Sequence, residues 1–488
     1  MRLNKAAGFG AMAALALMLA APAGARAEET ISQADGAKNR PNVILLMSDD
    51  QGWGDTGYNG HPVMQTPHLD ALAASGTVFT RFYAAAPVCS PTRASILTGR
   101  HPKRQGIDNP NDGKLLAEEI TIAEIARDLG YVTAHFGKWH LGTMTTERKD
   151  SNRGMPGNTE EYSPPWEHGY DVVFATEAKV PTYDPMVDPE NRPEWFGAAY
   201  WAGAKEPVPY TDPSLLGDDS RVMMDRVIPF IENMVTNDKR FFTTVWLHSP
   251  HDPVIADPAD DTYAGHEGLT EKQRTFYTII TQMDRQIGRL WETLEEQGIL
   301  ENTLIAFTSD NGPSHVYGGS SGGLRGYKQD LYEGGVRVPG IMVWPGTIPA
   351  GQQTDTPVIT HDYLPTLLEI WDAGDEHYPA TRPLDGRSMM PVIRGEETTT
   401  RDLQFGFSRY DAKDETDFPQ RVSLIRGTDK IITQDHGETW ELFDLADDPT
   451  ESENLAEKHP ERLVEMRKAW LEWFEETKRS RDGADYAN

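Results

Sequence analysis

The clearest indication of the fold is one stretch, Asn42-Val43-Ile44-Leu45-Leu46-Met47-Ser48-Asp49-Asp50. Its first six residues form an almost unbroken apolar run, which is typical of a β-strand buried on both faces of a sheet. The run ends at two adjacent carboxylates, Asp49 and Asp50. Open parallel sheets place their binding sites outside the carboxyl ends of their strands. The stretch therefore predicts an α/β fold in which this strand leads directly to a polar site.

Apolar runs of the same kind recur along the chain. They predict five more buried strands, at residues 77–83, 131–136, 241–247, 303–308 and 338–344. Helical patterns lie between several of these runs, most clearly at residues 271–297, where apolar side chains recur at steps of three and four. Because strands alternate with helices, we predict a large mixed sheet, mostly parallel, that is sandwiched by helices.

The C-terminal part of the chain has a different pattern. Short alternating runs predict a small antiparallel sheet at residues 403–408, 421–426, 430–434 and 440–445. A helix with one apolar face is predicted at residues 460–478. We therefore predict a catalytic α/β domain at 41–375 and a C-terminal α+β subdomain at 376–488. The stretch 145–219 is rich in Pro, Gly, Trp and Tyr, which favours loops that wall an active site over irregular surface packing.

The N-terminus has the composition of a signal peptide. Arg2 and Lys5 precede an Ala/Leu/Met-rich run, and Ala25-Arg26-Ala27 is a small-x-small cleavage site, which together predict a signal peptide at residues 1–27. Residues 28–40 are polar and predicted to be a flexible lead-in. The apolar run is short and alanine-rich for a membrane-spanning helix, although a retained anchor is the alternative. We predict a periplasmic or secreted protein with no stable membrane anchor.

The charge of the chain restricts its partners. The sequence has 46 Lys and Arg against 76 Asp and Glu, a formal net charge of −30. Nucleic-acid binding depends on neutralising phosphates, so this balance argues against a nucleic-acid partner. It also disfavours broad docking onto polyanionic polymers or anionic membranes. An anionic substrate must therefore be captured in a locally cationic pocket.

A second acidic cluster follows another predicted strand. Asp310 and Asn311 come directly after the run at 303–308, as Asp49 and Asp50 follow the first strand. If the two strands are parallel neighbours in the sheet, their ends bring the two clusters together. The combined ligand set is all oxygen, which suits Ca²⁺ or Mg²⁺ rather than zinc. Each pair alone could be a helix cap or an Asx-turn. A cation explains both pairs together, because clustered carboxylates otherwise repel one another.

Cys89 is the only cysteine of the 488 residues. It begins the segment Cys89-Ser90-Pro91-Thr92-Arg93, in which Ser90 is predicted as a helix N-cap and Pro91 as the first helical residue. The thiol would then lie at a helix N-terminus, where backbone donors favour an anion. Such a thiol would have a lowered pKa and could itself react. The alternative is a buried, inert cysteine.

The segment around Cys89 resembles the signature of the type I sulfatases of the alkaline phosphatase superfamily, Cys-x-Pro-x-Arg followed by Ala94-Ser95-Ile96-Leu97-Thr98-Gly99-Arg100. Four other segments resemble the remaining motifs of the family and occur in family order: Asp49-Asp50-Gln51-Gly52-Trp53-Gly54-Asp55, Gly137-Lys138-Trp139-His140, Ser249-Pro250-His251-Asp252-Pro253, and Asp310-Asn311 with the later Gly322-to-Lys328 segment. The resemblance runs from about residue 41 to residue 455. The loops of the chain are similar to those of arylsulfatases and N-acetylgalactosamine-sulfate sulfatases.

The resemblance implies an alkaline-phosphatase-like fold and a role for each motif. Cys89 would be converted to formylglycine by a formylglycine-generating enzyme, and the aldehyde hydrate would be the nucleophile that attacks sulfur. One divalent cation, usually Ca²⁺ with Mg²⁺ possible, would be held by Asp49, Asp50, Asp310, Asn311 and the modified Cys89. The catalytic set would comprise Cys89, Arg93 at the diol, Lys138 and Lys328 at the sulfate, His140 as the base for the diol, and His251 as the acid for the leaving oxygen. His251 is preferred to His248 because the family's histidine precedes x-Pro.

These features predict a sulfuric ester hydrolase that releases inorganic sulfate from a sulfated carbohydrate or an aryl sulfate. An acidic exterior suits small or terminal sulfated saccharides better than a long polyanion. The alternative within the same chemistry is a formylglycine-dependent phosphodiesterase or phosphonate monoester hydrolase. A carbohydrate-binding relative without activity is a further alternative, which the complete set of motif residues disfavours.

Overall fold

The computed structural model describes residues 40–187, 198–204, 206–396, 399–409 and 418–486. The predicted signal peptide lies outside the described residues. The strands are β1 (Asn42–Ser48), β2 (Thr77–Phe79), β3 (Phe82–Tyr83), β4 (Val132–Lys138), β5 (Val172–Thr176), β6 (Phe241–Trp246), β7 (Thr303–Ser309), β8 (Arg337–Val338), β9 (Gly340–Val343), β10 (Gln352–Thr354), β11 (Val358–Ile359), β12 (Asp402–Phe407), β13 (Arg421–Arg426), β14 (Asp429–Thr433) and β15 (Glu441–Asp444). The helices are α1 (Pro67–Ala74), α2 (Cys89–Thr98), α3 (Pro102–Gln105), α4 (Ile122–Asp128), α5 (Asp219–Thr236), α6 (Glu271–Glu296), α7 (Glu333–Val336), α8 (Tyr363–Trp371), α9 (Met390–Ile393) and α10 (Pro460–Arg481).

The largest sheet has eight strands in the order β10-β2-β9-β7-β1-β6-β4-β5. The strand β1 lies in its middle, is buried along its whole length, and pairs in parallel with both β6 and β7. The strands β4 and β5 continue the parallel part, whereas β9 runs antiparallel to β7 and β2. The prediction of a large, mixed and mostly parallel sheet is confirmed.

Helices cover both faces of this sheet. Alternate side chains of β1 point to opposite faces, so Val43 and Leu45 join one hydrophobic cluster and Ile44 and Leu46 join another. The first cluster includes residues of α2, α4 and α8, and the second includes residues of α1, α5 and α6. The predicted sandwich is therefore confirmed. Within the described residues, no helix has the combination of length and apolar character that crossing a bilayer requires.

Two predicted strands are each divided in the structure. Residues 77–83 form β2 in the large sheet and β3 in a separate three-stranded sheet of order β11-β3-β8. Residues 338–344 are divided at Pro339, which has no N–H for a ladder hydrogen bond, into β8 and β9. The stretch 145–219, predicted without regular strands, contributes β5 at the edge of the large sheet. Apolar runs predict burial but do not show where a chain leaves one sheet for another.

The predicted C-terminal sheet and helix are present. The strands β12, β13, β14 and β15 pair antiparallel in chain order. One face packs on α10, where Trp470 contacts the cluster that contains Leu424 and Ile431. The other face packs against Leu331 and Val336, which follow the Gly322-to-Lys328 segment in the chain. From Arg40 onward the described chain forms a single unit, and the boundary at 375/376 stays a prediction.

A buried ion triad joins this sheet to α7. The Nζ of Lys430 in β14 lies 3.0 Å from Glu333 Oε1 and 2.9 Å from Glu451 Oε1, and all three side chains are fully buried. We expect Lys430→Met to lower the free energy of unfolding by about 3–5 kcal/mol, because two buried carboxylates then lose their shared cation. Urea-induced unfolding measures the change. Lys458→Met, which removes an exposed pair with Glu453, should change stability little, and equal effects of both substitutions would contradict the prediction.

Candidate active site

Four neighbouring strands bring their carboxyl ends to one place. The strands β7, β1, β6 and β4 are adjacent and parallel, and β1 and β7 stay in register to their last residues. Asp49-Asp50 follows β1 and Asp310-Asn311 follows β7. Lys138 is the last residue of β4, and the loop after β6 carries His251. The parallel register therefore collects acidic, cationic and imidazole groups at the edge where such sheets place their sites.

Cys89 lies in the centre of this group. It is the first residue of α2 and only 1% exposed. Its Sγ is 3.7 Å from Asp49 Oδ1, and Lys328 Nζ is 3.5 Å from the sulfur on another side. Residue 89 is thus in contact with both a carboxylate and an ammonium group.

The start of α2 differs from the prediction. The helix begins at Cys89 with Val88 as its N-cap, so the assignment of Ser90 as N-cap and Pro91 as first helical residue was wrong. The Ser90 hydroxyl instead donates to the carbonyl oxygen of His140 at 2.6 Å, and no side chain caps the start of this helix. The expected lowered pKa of the thiol is also wrong. Burial raises the pKa of Cys89 to about 12, despite the nearby lysine ammonium groups.

Two lysines each pair with one of the adjacent carboxylates. Lys138 Nζ lies 2.5 Å from Asp49 Oδ2, and Lys328 Nζ lies 2.5 Å from Asp50 Oδ1. Burial would lower the pKa of each lysine, but the carboxylates raise both above the usual value, so both ammonium groups stay charged. A very acidic protein thus holds a concentration of positive charge beside Cys89.

Arg93 connects the acidic clusters of the two central strands. Its guanidinium is fully buried and lies 2.8 Å from Asp310 Oδ2 and 3.4 Å from Asp49 Oδ2. The same group donates to the Lys138 carbonyl at 2.7 Å and stacks over the ring of Trp246, 5.2 Å from its centroid. With both terminal nitrogens engaged and the guanidinium over an indole ring, Arg93 has a fixed position one turn into α2.

The paired carboxylates have opposite pKa shifts. Burial acts to raise the pKa of Asp49, but the Lys138 ammonium and the other cations hold it well below its usual range. Burial and the neighbouring Asp49 carboxylate raise the pKa of Asp310 to about 6. Crowded carboxylates of this kind are stabilised in their ionised form by an additional cation.

The donor set fits a hard divalent cation. Ligand-type atoms of four buried residues lie within 4.8 Å of one another, those of Asp49, Asp50, Cys89 and His251. Asn311 Oδ1 is a buried acceptor with no hydrogen-bond partner among the described residues. The Asp310 carboxylate accepts from Arg93 and from the backbone N–H of Asp50, at 2.8 and 3.1 Å. Carboxylate and amide oxygens of this kind are typical ligands of Ca²⁺ and Mg²⁺.

The two candidate histidines have different surroundings. His251 Nε2 lies 3.7 Å from Asp50 Oδ2 and the residue lines the cavity in front of the site. Burial lowers the pKa of His251 to about 4. His248 is fully buried and bonded to Thr176 and Asp219, at 2.7 and 2.8 Å. His251 therefore faces the cavity, whereas both ring nitrogens of His248 are bonded within the fold.

His140 is held by residues of the cavity wall that sequence analysis did not select. Its Nε2 lies 3.1 Å from Asn111 Oδ1, which also accepts from Asn152 Nδ2 at 3.0 Å. An oxygen that accepts both contacts leaves the proton of a neutral imidazole on Nε2. Nδ1 is buried and has no hydrogen-bond partner among the described residues, so its lone pair remains available.

The cavity in front of these groups has a volume of about 690 Å³. Asp50, Cys89, Lys138, His140, His251 and Lys328 all line it. Its wall also includes residues that no motif indicated: Asn111, Asn152, Ala178, Lys179, His315, Tyr317 and Arg409. Three of these, Asn152, Ala178 and Lys179, come from the stretch 145–219 that was predicted to wall the site. The wall residues as a set come from segments that are far apart in sequence, so only the folded chain brings these segments together.

The chain is similar to known proteins both in sequence and in fold. A family model described as Sulfatase matches residues 41–373, and a model described as N-sulphoglucosamine sulphohydrolase, C-terminal, matches residues 326–476. The N-acetylgalactosamine-6-sulfatase of Canis lupus familiaris is 31% identical over 388 residues, covering 76% of this chain and 69% of that protein. Arylsulfatase A of Bos taurus is 30% identical over 482 residues, covering 89% of this chain and 87% of that protein. The crystal structure of Ps i-CgsB in complex with k-i-k-neocarrahexaose has a TM-score of 0.75 and 25% identity, covering 89% of this chain and 93% of that one.

Proposed function

The chain belongs to the type I sulfatase family of the alkaline phosphatase superfamily and is a sulfate ester hydrolase, and on this premise we propose that it releases inorganic sulfate from a sulfated saccharide with a nucleophile made from Cys89. The observation that carries the proposal is the position of Cys89, at the start of α2 between Asp49 and the ammonium group of Lys328. Overall, one water is consumed, the bond between sulfur and the sugar oxygen is broken, and that oxygen takes a proton.

Formylglycine is the proposed form of residue 89. A formylglycine-generating enzyme of the producing cell would carry out the oxidation, in which the cysteine loses its sulfur and becomes an aldehyde. The hydrated aldehyde supplies a hydroxyl nucleophile that a buried thiol does not. Asp49 and Lys328, both close to the side chain of residue 89, would orient that group.

The cation of the proposed site is Ca²⁺, or Mg²⁺, with one ion per chain. Asp49, Asp50, Asp310, Asn311 and residue 89 would hold it, which would satisfy the unpaired Oδ1 of Asn311. When bound, such an ion acts as a Lewis acid that stabilises negative charge on oxygen. Arg93 would keep Asp310 and Asp49 at a fixed separation through its two ion pairs.

Lys138 and Lys328 are proposed to bind the sulfate oxygens. Their ammonium groups are fixed by Asp49 and Asp50 and face the cavity beside Cys89. Neutralising the charge of the sulfate oxygens lowers the cost of bringing an oxygen nucleophile to sulfur. This is the locally cationic pocket that the net charge of the chain requires.

The two histidines are proposed to move protons at opposite ends of the reaction. His140, with its Nδ1 lone pair available, would remove a proton from the hydroxyl of residue 89. His251, near Asp50 and on the cavity wall, would give a proton to the departing sugar oxygen. A sulfate bound beside His251 adds the negative charge that favours its protonated form.

The proposed substrate is a small or terminal sulfated saccharide. A cavity of about 690 Å³ can hold one or two sugar units, and the side chains of Asn111, Asn152 and Tyr317 on its wall suit hydroxyl groups. Ps i-CgsB, which shares the fold, was crystallised with an oligosaccharide. The acidic exterior of the present chain would repel a long polyanion. Export, to the periplasm or the medium, is proposed from the sequence of residues 1–27.

A panel of esters tests the proposal. We expect sulfate release from at least one of 4- or 6-sulfated N-acetylgalactosamine, sulfated glucosamine and uronate disaccharides, galactose sulfates or an aryl sulfate. Turnover of that sulfate should exceed turnover of the matched phosphate diester by about tenfold or more, which corresponds to about 1.4 kcal/mol of activation free energy. Faster cleavage of the phosphate diester or a phosphonate monoester would favour the alternative activity. Faster release from polymer than from mono- and disaccharides would contradict the proposed substrate size.

A further inference from the structure

The segment that carries Lys328, residues 325–333 and called the Lys328 loop below, is held by the C-terminal sheet. In β15, Glu441 lies 3.5 Å from the Arg325 guanidinium and accepts from the Tyr332 hydroxyl at 2.5 Å. In β14, Lys430 binds Glu333 at 3.0 Å. Three neighbouring strands contact the loop with charged side chains, and the third contact is made from β13 directly next to Lys328.

That third contact comes from Arg421. Its guanidinium donates to the carbonyl oxygen of Gln329 and, at 2.8 Å, to Asp330 Oδ1. Gln329 is the residue after Lys328 and has a φ of +73°, a conformation that non-glycine residues adopt only when their surroundings impose it. The N–H of Gln329 donates to the carbonyl oxygen of Pro87 at 2.9 Å, two residues before Cys89. The backbone beside Lys328 is therefore held at both of its polar groups.

These contacts connect Arg421 to the active site through the backbone beside Lys328, although Arg421 itself does not lie in the site. Arg421 is not among the residues of the described chain that line the cavity, and its side chain is only 13% exposed. Lys328 continues from the held backbone to place Nζ 2.5 Å from Asp50 Oδ1 and 3.5 Å from Cys89 Sγ. If the Gln329 carbonyl were released, the left-handed conformation would relax and the base of the Lys328 side chain would move.

We propose that Arg421, on a strand of the C-terminal sheet, is a positioning residue that holds Lys328 against the nucleophile. The inference rests on the proposed function, in which Lys328 binds the sulfate oxygens. Arginine suits the task because its guanidinium is planar and rigid, so the terminal nitrogen that donates to both the Gln329 carbonyl and the Asp330 carboxylate has a fixed orientation, whereas a lysine ammonium has no such fixed geometry. The C-terminal sheet would thereby supply a part of the active site that none of the catalytic motifs contains.

A double-mutant cycle tests this relation in the full-length, formylglycine-containing protein. We expect Arg421→Gln to lower kcat/KM for the best sulfate ester by about 10- to 100-fold, because small misplacements of a catalytic group have effects of this size. Lys328→Ala should cost at least as much. The double variant should resemble Lys328→Ala alone, since Arg421 then has nothing left to position. Arg421→Lys should be intermediate.

The matched control is Arg426→Gln on the same strand. Arg426 makes an equally complete ion pair, with its guanidinium 2.6 and 2.7 Å from the Asp402 carboxylate, but contacts no residue of the Lys328 loop in the described structure. Its replacement should leave kcat/KM within about twofold of the parent. A comparable loss in Arg426→Gln would show that any weakening of the sheet lowers activity, and it would overturn the positioning role.

Hydrogen–deuterium exchange of residues 325–333 gives a readout that does not depend on turnover. We expect exchange about tenfold faster in Arg421→Gln than in the parent or Arg426→Gln. Unchanged exchange, or losses that multiply in the double variant, would overturn the inference. Faster exchange in Arg421→Gln, combined with a parent protein that releases no sulfate from any ester, would support the tether and refute the proposed function, so the two failures are distinguishable.

Discussion

Replacing Cys89 with alanine should abolish sulfate release, with a loss of roughly 10⁴-fold or more, as expected when a covalent nucleophile is removed. The cations around residue 89 would remain, because Lys138, Lys328 and Arg93 are held by the carboxylates rather than by the sulfur. The variant should therefore still bind inorganic sulfate while it fails to turn over esters. Release of sulfate from the best ester of the panel, measured beside the parent, gives the result.

The control for this prediction is the parent protein in its unmodified form. Mass spectrometry of the tryptic peptide 82–93 shows whether residue 89 has lost its sulfur. We expect activity to rise in proportion to the modified fraction, and Cys89→Ala to keep a near-parental unfolding temperature because alanine suits the start of α2. Full activity in protein that retains the thiol would refute formylglycine, and activity in Cys89→Ala would refute any nucleophilic role of the residue.

Removal of the divalent cation should have the second largest effect. We expect chelation to lower sulfate release by more than about 100-fold, because changes in groups that only support a metal ligand already cost 10- to 100-fold. Calcium or magnesium should restore activity, and the ion that restores it at the lower concentration is the resident one. Calorimetric titration should give one Ca²⁺ per chain in the parent and a binding constant weakened by more than about 100-fold in Asp310→Asn.

Two further variants make the metal test specific. Asn311→Ala removes the unpaired Oδ1 together with the Nδ2 donor to Asp50 Oδ1, at 2.7 Å, and leaves both partners of the pair between Arg93 and Asp310 in place. Asp284→Asn changes another buried carboxylate, which accepts from the backbone N–H groups of His68 and Leu69 and is not among the described residues that line the cavity. Calcium binding should weaken in Asn311→Ala and stay at the parental value in Asp284→Asn. Tight Ca²⁺ binding in both Asp310→Asn and Asn311→Ala would exclude the proposed ligand set.

Much of the fold could be predicted because burial leaves a direct pattern in the sequence. The run from Asn42 to Met47 has no polar alternation, and the structure places it in the middle of a sheet covered on both faces. The pattern at α6 is equally plain, and the helix begins at Glu271 because Thr270 and Gln273 form a capping box. Predictions failed where hydrogen bonding over long sequence distances decides, as for Ser90, whose hydroxyl bonds to a carbonyl fifty residues away rather than to its own helix.

The sequence by itself determined the sheet type, the acidic strand ends and the motif residues of a sulfatase, because strand burial and local motifs are encoded in neighbouring residues. Only the tertiary structure decided how these residues meet. It raised the pKa of Cys89 where a helix N-terminus alone would lower it, since desolvation of the buried thiol outweighs the nearby lysine ammonium groups. It also brought Asn111 to His140 and Arg421 to the backbone beside Lys328. Such contacts join residues tens of positions apart, so no local pattern records them and only the packing of separate elements brings them into place.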